Sequence, residues 1–137
     1  MQGWGAWALA GSLMLSACAS TGHGSNPCAV GERRSLANLY FGLSIKGAPD
    51  LSDEQFSDFL DKEVSTRFPD GLTVLAAQGR WRSDSGQMVR EPSKVVQIIM
   101  SGKPDDLAKL DAVRDAYKRE FHQESVLEVV AKTCAAF

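Results

Sequence analysis

Residues 36–45 read Leu36-Ala37-Asn38-Leu39-Tyr40-Phe41-Gly42-Leu43-Ser44-Ile45, and the way they alternate decides the fold. Leu39, Phe41, Leu43 and Ile45 fall on one side of an extended chain; Asn38, Tyr40, Gly42 and Ser44 fall on the other. That period of two predicts a strand with one buried face. Downstream, Ser52-Asp53-Glu54-Gln55 is a capping box, in which the serine and glutamine side chains each take up an unpaired N–H at a helix start. Phe56, Phe59, Leu60 and Val64 follow at helical spacing until Pro69-Asp70-Gly71 turns the chain. Leu72 to Trp81 predicts a second strand, and Asp84-Ser85-Gly86 a turn into a third. Within the third, Val95 to Met100 is almost continuously apolar, as in a central strand covered on both faces. A second helix starts near Pro104, with Asp105 and Asp106 in its first turn and Lys118 and Arg119 near its end, as the helix dipole favours. Its expected buried stripe is Leu107, Leu110, Val113, Tyr117 and Phe121. Ser125 to Thr133 closes as a fourth strand, with Glu128 and Lys132 suggesting an exposed edge.

The order is β-α-β-β-α-β. With right-handed crossovers it makes an α+β, ferredoxin-like sandwich: an antiparallel sheet with both helices on one face. The other face stays open, lined by Tyr40 and its neighbours with Val95 or Val96 adding apolar surface. A small domain with such a face usually covers it, by dimerising or by taking a ligand.

Before this region the composition changes. The chain has 137 residues, with 15 Lys plus Arg against 17 Asp plus Glu, and all of these charges lie after position 31. Three segments follow: residues 1–17 as a signal peptide, 18–35 as a lipidated N-terminus and flexible tether, and 36–137 as one domain. Trp4 to Ala17 is an apolar run too short to span the bilayer core comfortably. Leu15-Ser16-Ala17-Cys18 then reads as a lipobox, with small residues beside a thiol to be acylated. Several acyl chains on Cys18 make anchoring stable. Ordinary cleavage before Ser20, after Ala17-Cys18-Ala19, is the alternative, as is an uncleaved anchor, and Met1-Gln2-Gly3 lacks the usual basic residue. Ala19 is not aspartate, so by the familiar enterobacterial sorting habit the expected location is the periplasmic side of the outer membrane rather than the inner.

Removing Cys18 to lipid leaves Cys28 and Cys134 as a pair, which an oxidising periplasm favours as a disulfide over two free thiols.

Several stretches resemble a bacterial family of exported domains of unknown function, number 3574 in that series. They are Leu39-Tyr40-Phe41-Gly42, Glu63-Val64, Arg67-Phe68-Pro69-Asp70-Gly71-Leu72-Thr73-Val74 and Gly79-Arg80-Trp81, with Arg90-Glu91-Pro92-Ser93-Lys94, Tyr117-Lys118 and Gln123-Glu124-Ser125-Val126. The resemblance runs from about Leu36 to Phe137, and Phe68 to Val74 is its most specific part. It implies a short lipoprotein or secreted protein and carries no activity with it.

Most catalytic classes find no support in the residues. Histidine is limited to His23 in the tether and His122 at a helix end, so neither a multi-histidine metal site nor a serine triad is expected, and no cofactor. Phosphate-loop and dinucleotide motifs are missing, and a net charge of −2 offers no case for nucleic acid. Ser93 and Lys94 would point to opposite faces of a strand, against a dyad. Glu63 and Arg67 read as an i,i+4 ion pair or a clamp on the following turn. Around the hairpin, Arg80, Lys94 and Tyr40, with Trp81 as a wall, could form a site for a small anionic ligand; the plainer reading is a solvated hairpin with Trp81 as packing.

Two functions follow. One is a non-enzymatic ligand-binding or interaction module, lipid-anchored and homodimeric through the open sheet face. The other is an enzyme of the dimeric α+β-barrel type, acting on a small aromatic or acidic substrate enclosed by that face. A deep pocket with Tyr40 and basic groups converging on it favours the enzyme; a flat apolar face favours assembly.

Overall fold

The computed structural model describes residues 28–137; the leader, Cys18 and the tether up to residue 27 lie outside the described residues. Within them run β1 (Glu32–Gly42), α1 (Asp53–Phe59), β2 (Thr73–Arg82), β3 (Met88–Met100), α2 (Asp106–Phe121) and β4 (Leu127–Ala135). The strands form one antiparallel sheet in the order β2-β3-β1-β4, so β3 and β1 are central and β4 is an edge. This is the expected α+β, ferredoxin-like arrangement.

Alternation along β1 divides its two faces as expected. Leu39 and Phe41 are fully buried and Leu43 nearly so, packed in one cluster with Phe56 and Phe59 of α1 and Leu110, Val113 and Tyr117 of α2. That shared cluster places both helices on the same side. Phe41 sits at its centre, with ring centroids 5.5 Å from Phe56, 5.9 Å from Phe59 and 4.6 Å from Tyr117, all edge-to-face. Ring quadrupoles favour this geometry over a flat sandwich.

At the start of α1 the capping box is complete: Gln55 N–H donates to Ser52 Oγ (3.2 Å) and Ser52 N–H donates to Gln55 Oε1 (3.0 Å). The helix continues as a π-helical segment, Leu60–Ser65. Phe59 and Val64 are both buried although five residues apart, a spacing that a wider i→i+5 turn brings toward one face. Arg67 closes the segment's end, donating to the Glu63 carbonyl (2.6 Å) and pairing with the Glu63 carboxylate (2.9 Å). The pair is therefore both an i,i+4 bridge and a clamp on a carbonyl that the helix end leaves unpaired.

Two details differ from the sequence reading, and a third is one that it left open. The tether was expected to reach Ser35, yet β1 begins at Glu32, with Glu32, Arg33, Arg34 and Ser35 paired to Ala135, Cys134, Thr133 and Lys132. Charged residues carry no alternation signal; backbone pairing with β4 and the Cys28–Cys134 disulfide beside it hold them extended. In α2, Leu107 is exposed and Asp106 takes its place in the buried set. At about 100° per residue, Asp106 lines up with Leu110, Val113 and Tyr117, whereas Leu107 swings roughly a quarter-turn away. Asp106 can be buried because it accepts from Ser101 Oγ (3.1 Å), Gly102 N–H (2.8 Å) and Lys103 N–H (3.1 Å), tying down the loop before the helix. In β3, Val95 and Val96 are both buried, but only Val96 lies under the helices.

Candidate functional site

Directly paired residues of an antiparallel sheet share a face, so the register assigns every side chain. On the side of the sheet that carries the helices run Val74, Ala76, Gln78, Arg80 and Arg82 of β2, opposite Val96, Lys94, Pro92, Arg90 and Met88 of β3. On the open face run Leu75, Ala77, Gly79 and Trp81, opposite Val95, Ser93, Glu91 and Val89. The open face continues into β1 through Leu36, Asn38, Tyr40 and Gly42, then into β4 through Ala131, Val129 and Leu127.

The four residues expected to gather around an anion are therefore split. Tyr40 and Trp81 lie on the open face, Arg80 and Lys94 on the helix side. Lys94 is engaged elsewhere, its ammonium 2.6 Å from the Asp53 carboxylate at the start of α1. Alternation within each strand was readable; the register that sets Arg80 against Arg90 was not, because it depends on the pairing of two strands.

The open face is broad and mostly apolar. Tyr40 is 39% exposed, Leu75 45%, Val129 41% and Leu127 59%. Val95 is buried between its cross-strand neighbours Tyr40 and Leu75. Near the middle, Gln97 donates through Nε2 to Asn38 Oδ1 (2.8 Å), so these two amides satisfy part of each other's hydrogen bonding within the sheet.

At one end of this face lies a group the sequence reading missed. The Glu91 carboxylate accepts from Trp81 Nε1 (2.7 Å) and lies directly over Gly42 and beside Gly79. A Cβ on Gly42 would stand 2.5 Å from Glu91 Oε2, and one on Gly79 2.8 Å from Ser93 Oγ. Glycine at these two positions leaves the room that the Glu91 and Ser93 side chains occupy, and a Cβ at either would make those side chains shift; neither glycine has a positive φ. The pairing Gly79↔Glu91 was the hidden signal.

Below it, Tyr117 donates from its hydroxyl to the Gly42 carbonyl (2.7 Å). Burial pushes the Tyr117 phenol well above the usual tyrosine range, and the nearby Glu91 charge adds to this. An unfolded tyrosine titrates near ~10. Because the folded value is raised, the stabilisation is complete below about pH 10 and is lost as pH climbs above it. Urea midpoints are expected to fall above about pH 10, and more steeply in the native chain than in Tyr117→Phe, which has no proton to lose. Equal slopes would discount the coupling.

Elsewhere, two shallow depressions share Asp70, Ile99 and Ser101 at the Cys28 end of the sheet; the second, about 310 Å³, also takes in Arg67, Lys103 and Lys109. Among the described residues no cluster of three or more His, Cys, Asp or Glu is placed to hold a metal ion. No helix among them is long and apolar enough to cross a membrane.

Residues 36–137 match the family described as "Protein of unknown function (DUF3574)". The chain belongs to this family. A search of curated protein sequences gives no match. Among solved structures, a phage SAM lyase in complex with S-methyl-5'-thioadenosine is similar at 23% identity and a TM-score of 0.60, covering 74% of this chain and 90% of that one. The same lyase in its apo state gives 22% and 0.55, covering 77% and 92%. CutA from Synechococcus elongatus gives 12% and 0.50, covering 76% and 80%. At these identities the likeness bears on the fold alone. It extends the family assignment with an architecture, a four-stranded antiparallel sheet carrying two helices.

Proposed function

We propose that this DUF3574 member is a non-enzymatic interaction module, lipid-anchored in the cell envelope through Cys18 and homodimeric through its open sheet face. The observation that supports it is that face: Leu36, Tyr40, Leu75, Val95, Val129 and Leu127 lie on one side of the sheet across all four strands, and Tyr40, Leu75, Val129 and Leu127 among them are exposed. Contiguous apolar area on a small domain favours coverage by a partner, and an isologous contact covers both copies at once. The disulfide is consistent with an exported chain, since such bonds persist in oxidising compartments. The anchor itself rests on the lipobox.

A second reading, an enzyme using the same face, draws on Glu91, a carboxylate held by Trp81 above a glycine floor. It also draws on the fold shared with a SAM lyase that binds S-methyl-5'-thioadenosine.

Native mass spectrometry of the protein from its own host separates the two. Dimer mass in the native chain, lipid mass on Cys18 and conversion to monomer by Val129→Lys are the expected results. Burying a lysine in place of Val129 desolvates an unpaired charge on each copy, so dimer affinity should fall at least ~100-fold. A monomer carrying a retained nucleoside-type molecule would move the case to the enzyme. A monomer with neither lipid nor ligand would overturn both.

A further inference from the structure

Beyond Ser93 the β2–β3 hairpin leaves the sheet. Gly42 pairs with Ser93 at the last β1–β3 rung, so Gly79 to Arg82 and Met88 to Glu91 pair only with one another. This arm has two unlike faces. Trp81, Val89 and Glu91 occupy one. On the other, Arg80 stands directly opposite Arg90, with Arg82 next along the strand opposite Met88. All four of these residues are exposed.

Like charges directly opposite on a sheet repel, and proteins usually place an acid between them. Among the described residues no acid pairs with these arginines. Glu91 points to the other face by strand alternation, where Trp81 Nε1 donates to its carboxylate. Among the described residues no ion pair or hydrogen bond reaches the side chain of Arg80 or Arg90, and Arg82 makes only a 3.5 Å contact from Nη1 to the Gly86 carbonyl. The arm therefore concentrates positive charge on one exposed face, whereas the chain as a whole carries −2.

We propose that Arg80, Arg82 and Arg90 form a binding site for a phosphoryl group. Directly opposed Cβ atoms lie roughly 5 Å apart and diagonal ones about 7 Å, well within the reach of arginine side chains. Three guanidinium forks can then converge on one anion. A carboxylate offers two oxygens and one charge, enough for one fork or two. A tetrahedral phosphoryl group offers three oxygens and up to two charges, matching three forks in number and nearly in charge. The arm lies at the opposite end of β3 from the Cys28–Cys134 bridge, so an anchor upstream of Cys28 leaves the arginines free to meet a ligand. The phosphoryl group could belong to a soluble polyphosphate or to a phospholipid headgroup. The site does not depend on dimerisation.

Two probes test it on the full-length chain: sodium tripolyphosphate, followed by calorimetric titration at ionic strength matched with sodium chloride, and phosphatidylglycerol vesicles, followed by co-sedimentation against phosphatidylcholine. Arg80→Gln and Arg90→Gln are each expected to weaken binding at least ~10-fold, while Arg119→Gln on α2, the same charge change elsewhere, leaves it unaltered. Without anion, Arg90→Gln is expected to melt no lower than the native chain, because the repulsion is removed; a purely structural arginine would lower it. Arginine-dependent binding of tripolyphosphate assigns the soluble source, and of vesicles alone the headgroup. Binding of neither, or binding that survives both glutamine variants, overturns the site.

Discussion

Phe41→Ala is expected to destabilise the domain by about 3–5 kcal/mol, the largest effect of any single side-chain truncation here. Phe41 is fully buried on a central strand and touches Phe56, Phe59 and Tyr117 edge-on. Truncation removes its own transfer energy and three ring contacts, and it leaves a cavity between a sheet and two helices. A strand tied into a ladder on both sides cannot move in to fill that space, so little of the loss is recovered. Total stability of such domains is about 5–15 kcal/mol, so the variant should be largely or partly unfolded near 37 °C. Each ~1 kcal/mol moves the melting temperature of a domain this size by about 4–8 °C, giving a fall of at least ~12 °C by calorimetry. Leu107→Ala, on the exposed side of α2, should stay within about 0.5 kcal/mol. A Phe41→Ala melting curve within a few degrees of the native one would contradict the packing described.

Opening the Cys28–Cys134 disulfide is expected to have the second-largest effect. The bridge joins residues 106 apart in sequence with Cα atoms 5.5 Å apart, closing nearly the whole domain in one loop. In the chain-entropy model a loop of that length is worth ~4–5 kcal/mol, acting by restricting the unfolded chain; measured losses run about 2–5 kcal/mol. Cys28 lies just before β1 and Cys134 within the edge strand β4. Opening the bridge therefore also lets the Glu32–Ser35 end of the ladder fray, since Glu32 to Arg34 there bury little surface. Urea midpoints should drop by the same amount in the reduced native chain and in a Cys28→Ser, Cys134→Ser double variant. The double variant avoids creating a lone thiol. An unchanged midpoint on reduction, or two free thiols in the unreduced protein, would refute the bridge.

Some of this was readable in advance because its causes are local. The capping box at Ser52 and Gln55 needs only four consecutive residues, and the Asp84-Ser85-Gly86 turn only five, from Ser83 to Gln87, whose backbones bond across it at 2.9 Å. Leu39, Phe41 and Leu43 announce their face by alternation, which survives any tertiary arrangement. Asp106 illustrates the opposite case. Its polarity argued for the surface, and only the loop N–H groups gathered around it explain its burial.

The open face brings out the same division. That it exists, and that Tyr40 belongs to it, follows from the β-α-β-β-α-β order and from alternation along one strand. Whether it holds a pocket is a property of four strands together. Register aligned Tyr40 with Val95, Leu75 and Leu127 in one apolar row, and it carried Arg80 and Lys94 to the far side.

The sequence by itself determined the element order, the buried side of β1, the helix start at Ser52 and the cysteine pair. The first three are set by neighbours within a few residues; the cysteine pair was an expectation, and the Cys28–Cys134 bridge meets it. Only the tertiary structure decided that Glu91 lies over Gly42 and Gly79, that Lys94 pairs with Asp53, and that three arginines share one face of a projecting arm. Those outcomes depend on inter-strand register. A one-residue slip would reverse every one of them without changing any local preference.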